Sequence, residues 1–147
     1  MSWADWQQKR LYREKIWIDQ YFPSFKVHDP TNNTYWLGWL TTNAERKYEI
    51  HVQLTADYPD QAPRLYITSP FPLFTHQGTD LADIGTSHKM HTYEPRNGYV
   101  QMCLFRSESW SADYTIFKCL KKARIWLEAY DEHLRCGIDM CDLLGTQ

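Results

Sequence analysis

Residues 48–55 read YEIHVQLT, in which apolar and polar side chains alternate without a break. This period of two is typical of a strand that rests one face on the core and turns the other toward solvent. His51 lies on the polar face, where a solvated side chain is a better interpretation than a ligand. The core-facing residues of the stretch are predicted to be Tyr48, Ile50, Val52 and Leu54.

Three shorter strands are predicted around this one, at residues 25–28, 35–40 and 64–68. Turn-forming residues separate them, among them the YPDQAP stretch at 58–63. A helix that contains neither Gly nor Pro precedes them at residues 3–21. Four strands that follow one another after a helix favour an antiparallel sheet in meander order.

The predicted N-terminal helix carries large aromatic side chains among its charged residues, including Trp6 and Trp17. This pattern predicts a surface helix with one aromatic face. Trp3 and Trp6 mark either a face for a partner or, in the commoner case, packing against the domain's own sheet.

A second long helix is predicted from an N-cap at Asp113 to a stop at Gly137. Cys119 lies at the edge of its apolar face and is interpreted as a packed residue. The apolar residues that recur at helical spacing are Ile116, Leu120, Ala123, Leu127 and Tyr130. The lysines expected to turn largely outward are Lys118, Lys121 and Lys122. Together these elements predict an α+β fold in which C-terminal helices pack on the sheet.

Between the last predicted strand and this helix, residues 74–99 show no regular pattern. A segment of that length is long for a compact domain, and such segments tend to be functional loops. We therefore predict a long flap that leads directly into the stretch HTYEPRNGYVQMCLFRSESW at residues 91–110.

Cys103 lies in this stretch, after the turn-forming pair Asn97-Gly98 and before a polar loop that ends in Trp110. A cysteine outside any strand or helix pattern and close to turn residues has the setting of an accessible thiol, which makes it a candidate nucleophile. The alternative is a buried cysteine, because Met102 and Leu104 are apolar and free cysteines are among the most buried residues.

The composition is that of an ordinary globular protein, with 147 residues, 43% of them hydrophobic and 23% charged. A formal net charge of -2 and the absence of a basic run argue against a nucleic-acid partner. The N-terminus lacks the features of a signal peptide, and no apolar run approaches the ~20 residues needed to cross a bilayer. We expect no membrane partner and a cytoplasmic location.

The chain contains four cysteines, which are expected to stay reduced in a cytoplasmic protein. Zinc is a weaker alternative, because His133, Cys136 and Cys141 form a loose group without a second tight pair of ligands. We therefore predict no metal and no cofactor.

The order of these features resembles the ubiquitin-conjugating (E2) family over most of the chain. The residues that carry the resemblance are Tyr58-Pro59 with Pro63, His91, Asn97-Gly98, Cys103-Leu104, and Trp110 ahead of Asp113. The resemblance implies a single UBC-like domain over residues 1–147. It also implies that Cys103 carries the acyl end of a ubiquitin-like protein as a thioester. Such transfer needs a group that is both a nucleophile and a good leaving group near neutral pH, and cysteine is that residue.

The motif around the cysteine departs from the family pattern. Family members usually have His-Pro-Asn, in which the Asn helps to stabilise the oxyanion, whereas this chain reads His91-Thr92-Tyr93. In this chain the candidate donor to that oxyanion is Tyr93, or Asn97 if the loop follows a different path. The matching histidine of the family is structural, and we favour that role for His91 over the role of a general base.

These departures, together with the WLEAYD stretch at residues 126–131, are similar to a bacterial E2-like branch found in anti-phage, CBASS-type operons. That resemblance implies a cGAS-like nucleotidyltransferase as the protein whose C-terminus is attached to other molecules. A ubiquitin-like protein is the other candidate donor, and an E1-like activator is a further implied partner. The alternative function is a non-catalytic binding module like the E2 variants and RWD domains. A cysteine hydrolase that removes such conjugates comes third.

Overall fold

The protein is built from an antiparallel sheet and two long helices, as seen in a computed structural model that describes residues 2–145. The helices are α1 (Asp5–Tyr21), α2 (Leu81–Ile84), α3 (Ile116–Cys136) and α4 (Met140–Leu144). The strands are β1 (Lys26–His28), β2 (Tyr35–Thr41), β3 (Lys47–Gln53), β4 (Arg64–Ser69), β5 (Thr92–Arg96) and β6 (Tyr99–Met102). The predicted α+β class is confirmed. None of the helices in the described part of the chain has the length and apolarity needed to cross a bilayer.

The sheet has six strands in the order β1-β2-β3-β4-β6-β5, with every neighbouring pair antiparallel. The meander of β1 to β4 was predicted, but a sheet of only four strands was wrong. The hairpin of β5 and β6 adds two strands at one edge, and most of it lies in the segment predicted to be irregular. Its strands are short and the register shifts between Tyr93 and Arg96, so the sequence shows no sustained alternation there.

The predicted orientation of β3 is confirmed. Tyr48, Ile50 and Val52 are fully buried on the face that shares one core with α3. On α3 the matching residues Ile116 and Leu120 are fully buried as well. Each face is therefore defined by its own period, two residues in the strand and about 3.6 in the helix.

The sequence predicted the C-terminal end of α3 correctly but not its N-terminal end. Gly137 adopts the left-handed conformation, with φ 78°, and its N–H donates to the carbonyl of His133, so the predicted stop is confirmed. The predicted N-cap at Asp113 was wrong. Thr115 caps the helix instead, because its hydroxyl accepts a hydrogen bond from the Lys118 N–H at 3.1 Å.

The aromatic residues of α1 divide between the core and the surface. Trp3, just before the helix, is buried and its indole N–H donates to the Thr34 hydroxyl at 2.7 Å. Trp6 and Trp17 are instead 55% and 53% exposed, so packing against the sheet was the wrong interpretation for Trp6. The helix presents Leu11, Glu14 and Ile18 to the interior.

Glu14 is the one carboxylate of α1 that lies in the core, with only 5% of its surface exposed. It accepts hydrogen bonds from the Tyr58 hydroxyl, from the Ile116 N–H at 2.6 Å and from Arg10 at 3.3 Å. Burial raises the pKa of Glu14, and the hydrogen bonds from Tyr58 and Ile116 together with the charge of Arg10 act against that rise. A single side chain thus joins α1, the turn before β4 and the first turn of α3.

We expect Glu14→Ala to destabilise the fold by about 2–4 kcal/mol, because it leaves the Tyr58 hydroxyl and the Ile116 N–H buried without an acceptor. The matched control is Asp19→Ala, which removes an exposed carboxylate of the same helix from its pair with Lys15. That control should change stability by no more than ~1 kcal/mol. Urea unfolding followed by tryptophan fluorescence measures both. Equal midpoints for the two variants would show that Glu14 does not join these elements energetically.

Candidate active site

Cys103 directly follows the last residue of β6 and is partly exposed. Its N–H donates to the carbonyl of His91 at 2.9 Å, so the pairing of β5 with β6 extends one residue beyond the strands. The same carbonyl accepts a hydrogen bond from the Trp126 indole at 2.8 Å. The stretch before Cys103 was predicted to have no strand pattern, which was wrong, but Cys103 itself lies outside both strands as predicted. It is a strand-end cysteine held through its backbone by α3.

The His91 side chain is 4% exposed, and neither of its ring nitrogens has a hydrogen-bond partner among the described residues. Burial lowers the pKa of His91, and the nearby His88 and Arg106 lower it further. The ring is therefore neutral near neutral pH. His91 also has a positive φ of 53°, uncommon for a residue other than glycine. Its contact with the cysteine is made by its backbone carbonyl and not by a hydrogen bond from the ring.

The phenol of Tyr93 lies beside the Cys103 sulfur. Burial raises the pKa of Tyr93, and the neighbouring Cys103 and Glu108 raise it further, whereas the charge of Arg106 lowers it. The hydroxyl therefore remains protonated through the neutral pH range. In the structure it donates to the Phe105 carbonyl at 2.5 Å, which ties β5 to the loop that follows the cysteine.

Lys122 approaches the site from α3, although it was predicted to point outward. Its ammonium donates to the Leu104 carbonyl at 3.1 Å and lies 4.4 Å from the centre of the Phe105 ring. Burial lowers the pKa of Lys122, and Lys118 adds to this effect, whereas Cys119 and Cys103 act in the opposite direction. The ammonium is thus within electrostatic reach of the Cys103 sulfur. Lys122 borders the apolar face of the helix, where a long side chain can turn either way, so the sequence alone did not reveal it.

Trp110 fixes the far end of the loop after the cysteine. Its indole donates to the Pro59 carbonyl at 2.7 Å, and its ring packs edge-on against Phe105 at 5.1 Å. Trp110 therefore connects this loop to the Tyr58-Pro59 turn, a contact that the spacing in the sequence could not show.

Asn97 lies in the turn of the β5–β6 hairpin, where Asn97 and Gly98 have φ values of 53° and 80°. Two consecutive positive φ values are typical of a type I′ turn, for which Asn-Gly is the preferred sequence. The length of β6 separates this turn from Cys103, on the order of 15 Å at the usual rise per residue. Of the two predicted donors, the structure brings only Tyr93 to the sulfur.

The other three cysteines have different surroundings. Cys119 is fully buried, and burial raises its pKa well above the usual range. Cys136 and Cys141 are partly exposed like Cys103, so exposure alone does not distinguish Cys103 from them. The Cys136 thiol donates to the Glu132 carbonyl at 3.0 Å.

The loose group of candidate zinc ligands is not assembled. His133 uses one ring nitrogen with the Ile138 carbonyl at 2.8 Å and the other with the His76 N–H at 3.1 Å. Neither nitrogen is left to bind a metal. Within residues 2–145 there is no group of three or more side chains arranged to hold a metal ion.

Comparison with known proteins identifies one related family. A family model described as E2-CBASS, type II CBASS E2 protein, matches residues 14–138 and therefore spans most of the chain, including Cys103. No curated protein and no solved structure gives a significant match. The family match confirms the resemblance that the sequence suggested.

We expect brief alkylation with limiting iodoacetamide to label Cys103 first and to leave Cys119 unlabelled in the folded protein. Cys103 is partly exposed at the end of a strand, whereas Cys119 is fully buried and the Cys136 thiol already donates to the Glu132 carbonyl. Peptide mass analysis measures the order, and Cys136→Ser serves as the control because it removes a partly exposed thiol outside the site. Faster labelling of Cys136 or Cys141 would contradict the assignment of Cys103 as the reactive thiol.

Proposed function

Because the chain belongs to the type II CBASS E2 family of bacterial E2-like proteins, we propose that it carries the C-terminal acyl group of a protein on Cys103 as a thioester and passes it to an amine. The observation that carries the proposal is the partly exposed Cys103 thiol at the end of β6, followed by a loop whose Leu104 and Phe105 carbonyls accept hydrogen bonds from Lys122 and Tyr93. The α+β architecture is consistent with the UBC-like domain that such proteins are proposed to share. We also propose that the protein acts in the bacterial cytoplasm as part of antiviral defence.

The proposed reaction has two substitutions at one carbonyl carbon. In the first, the Cys103 thiolate attacks the activated C-terminal carbonyl of the donor, the activating group leaves, and a C–S bond forms. In the second, an amine attacks the thioester, the C–S bond breaks, the thiolate leaves, and the amine proton passes to a base or to solvent. Activation of the carboxyl consumes ATP in the proposed scheme and is assigned to an E1-like activator. The donor is a cGAS-like nucleotidyltransferase rather than a ubiquitin-like protein, because the family is associated with CBASS operons.

Each neighbour of Cys103 has a role in this scheme that follows from its surroundings. The Tyr93 hydroxyl turns from the Phe105 carbonyl, to which it donates its one proton in the structure, and becomes the donor for the oxygen that is negative when the carbonyl is attacked. The Lys122 ammonium stabilises the anionic sulfur that leaves in the second step. His91 is a positioning residue, because its carbonyl holds the Cys103 N–H.

The two alternative functions differ from this proposal in what they need at the site. A cysteine hydrolase needs a histidine base that is hydrogen-bonded to the thiol, and the His91 nitrogens have no partner among the described residues. A non-catalytic binding module needs no thiol at residue 103 and remains the alternative that experiment has to exclude.

We expect co-expression of the wild-type protein with its operon partners to yield a conjugate that hydroxylamine and thiol reductant both cleave. Cys103→Ser should instead trap an ester that survives reductant and is cleaved by mild base, because an ester is attacked by amines less readily than a thioester. The mass of the linked peptide should equal the two peptides less one water, which distinguishes it from a disulfide. Cys136→Ser should behave like wild type. If neither wild type nor Cys103→Ser forms an acyl adduct with every partner and ATP supplied, the binding module is the better assignment.

We expect Tyr93→Phe to slow transfer from the loaded enzyme to an amine by about 100-fold, in the range measured when one oxyanion donor is removed elsewhere. The alkylation rate of Cys103 should change little, since that reaction develops no oxyanion. The matched control is Tyr99→Phe, a tyrosine of the same hairpin whose ring packs on Phe71. Equal losses of alkylation and transfer would mean that the Tyr93 hydroxyl only supports the loop through Phe105.

A further inference from the structure

An open cavity of about 740 Å³ lies on the outer face of the sheet, between β4, the β5–β6 hairpin and the loop that follows Cys103. We call it the arginine cavity after three of its lining residues, Arg64, Arg96 and Arg106. Tyr93, the tyrosine beside the sulfur, also lines it and connects it to the site.

The charge of the arginine cavity is opposite in sign to that of the whole chain. Arg64, Arg96 and Arg106 are exposed, and none of them forms an ion pair with another described residue. The cavity also contains Asp60 and Glu94, but Glu94 already accepts a hydrogen bond from the Thr86 hydroxyl at 2.8 Å. The formal net charge of the protein is -2, whereas three arginines against two carboxylates give this cavity a local excess of positive charge.

The sheet register places this cavity next to Cys103. Tyr66 of β4 and Tyr93 of β5 both pair with Gln101 of β6. Side chains two residues apart on a strand share a face, so Cys103 lies on the Gln101 side of β6. Arg64, two residues before Tyr66, and Cys103, two residues after Gln101, therefore lie beyond the same end of the β4–β6 pairing.

The far end of the cavity lies within reach of a short peptide. Arg96 pairs with Tyr99, four residues before Cys103 along β6. That separation is on the order of 13 Å at the usual strand rise, which about four residues of extended chain span. A peptide joined to the sulfur through its terminal carbonyl therefore passes Arg64 first and Arg96 a few residues later.

We propose that the arginine cavity receives the C-terminal segment of the acyl donor and selects donors with acidic side chains shortly before the terminal residue. The inference rests on the proposed function and names the feature of the donor that the site recognises. Guanidinium groups bind carboxylates through paired, charge-assisted hydrogen bonds, so three of them without internal partners favour an acidic segment over a neutral or basic one.

The first test measures binding without chemistry. The probes are two fluorescein-labelled decapeptides of Gly and Ser with an amidated C-terminus. One carries Asp at the third and fourth positions from the end, and the other carries Asn there. Fluorescence anisotropy at low salt should give at least a tenfold lower Kd for the Asp peptide.

Variants of the cavity locate the binding. Arg64→Gln and Arg96→Gln should each weaken binding of the Asp peptide about threefold to fivefold, and the double variant should remove the preference, since partly exposed ion pairs contribute about 1 kcal/mol or less each. The matched control is Arg135→Gln, an exposed arginine at the end of α3. Thermal melts establish that all variants are folded. Equal Kd values for the two peptides, no binding up to millimolar concentration, or an equal loss in Arg135→Gln would overturn the proposal.

The second test separates this inference from the proposed function. The same two peptides are prepared with a C-terminal mercaptoethanesulfonate thioester, whose acyl group passes to the Cys103 thiolate as the small thiolate leaves. Intact mass should show faster loading of the Asp peptide. Equal loading of both peptides supports Cys103 as the acyl carrier and overturns the acidic selection. Preferential binding of the Asp peptide without any acyl group on Cys103 supports the arginine cavity and overturns the acyl-carrier function.

Discussion

The carboxylate of Glu14 is the interaction on which the rest of the structure depends. It accepts the Ile116 N–H at the start of α3, where backbone donors lack partners within the helix, and it binds Tyr58 ahead of β4. Burial removes water from the carboxylate, which makes its charged form costly and raises its pKa. The three donors offset part of that cost. A helix anchored in this way can hold Trp126 against the His91 carbonyl, and that carbonyl holds Cys103. The geometry of the site thus depends on a contact outside the site itself.

The surroundings of the sulfur combine groups that come from separate parts of the fold. Tyr93 belongs to the edge hairpin and Lys122 to the crossing helix, and both bind backbone carbonyls of the loop that joins these elements. The loop is therefore held at Leu104 and Phe105, the two residues after Cys103. A reactive cysteine needs rigid neighbours as well as access to solvent, and here the strand end provides the access while the two long side chains restrict the loop.

The sequence predicted what depends on local period and turn chemistry. The alternation in β3, the apolar stripe of α3, the glycine stop at Gly137 and the meander of the first four strands all follow from patterns within a few residues. It missed the hairpin of β5 and β6, because a short strand with a register shift gives no sustained alternation. Glu14 and Lys122 were missed for another reason. A charged side chain at the border of an apolar face can point either way, and only tertiary contacts decide. At the site, cysteine chemistry pointed to residue 103, whereas the choice between Tyr93 and Asn97 as the proposed donor depended on where the hairpin turn lies.

The hairpin also determines whether the edge of the sheet can pair with a strand of another chain. An edge strand exposes unpaired backbone groups that can recruit a strand from another polypeptide. In β5, Thr92 exchanges both of its backbone hydrogen bonds with Ser87. Two residues further along the strand, Glu94 accepts a hydrogen bond from the Thr86 hydroxyl. Pro95 then removes a backbone donor, and charged residues lie on either side of it. The strand beside the cysteine is consequently a poor template for accidental strand pairing, so this part of the surface resists aggregation in a crowded cell.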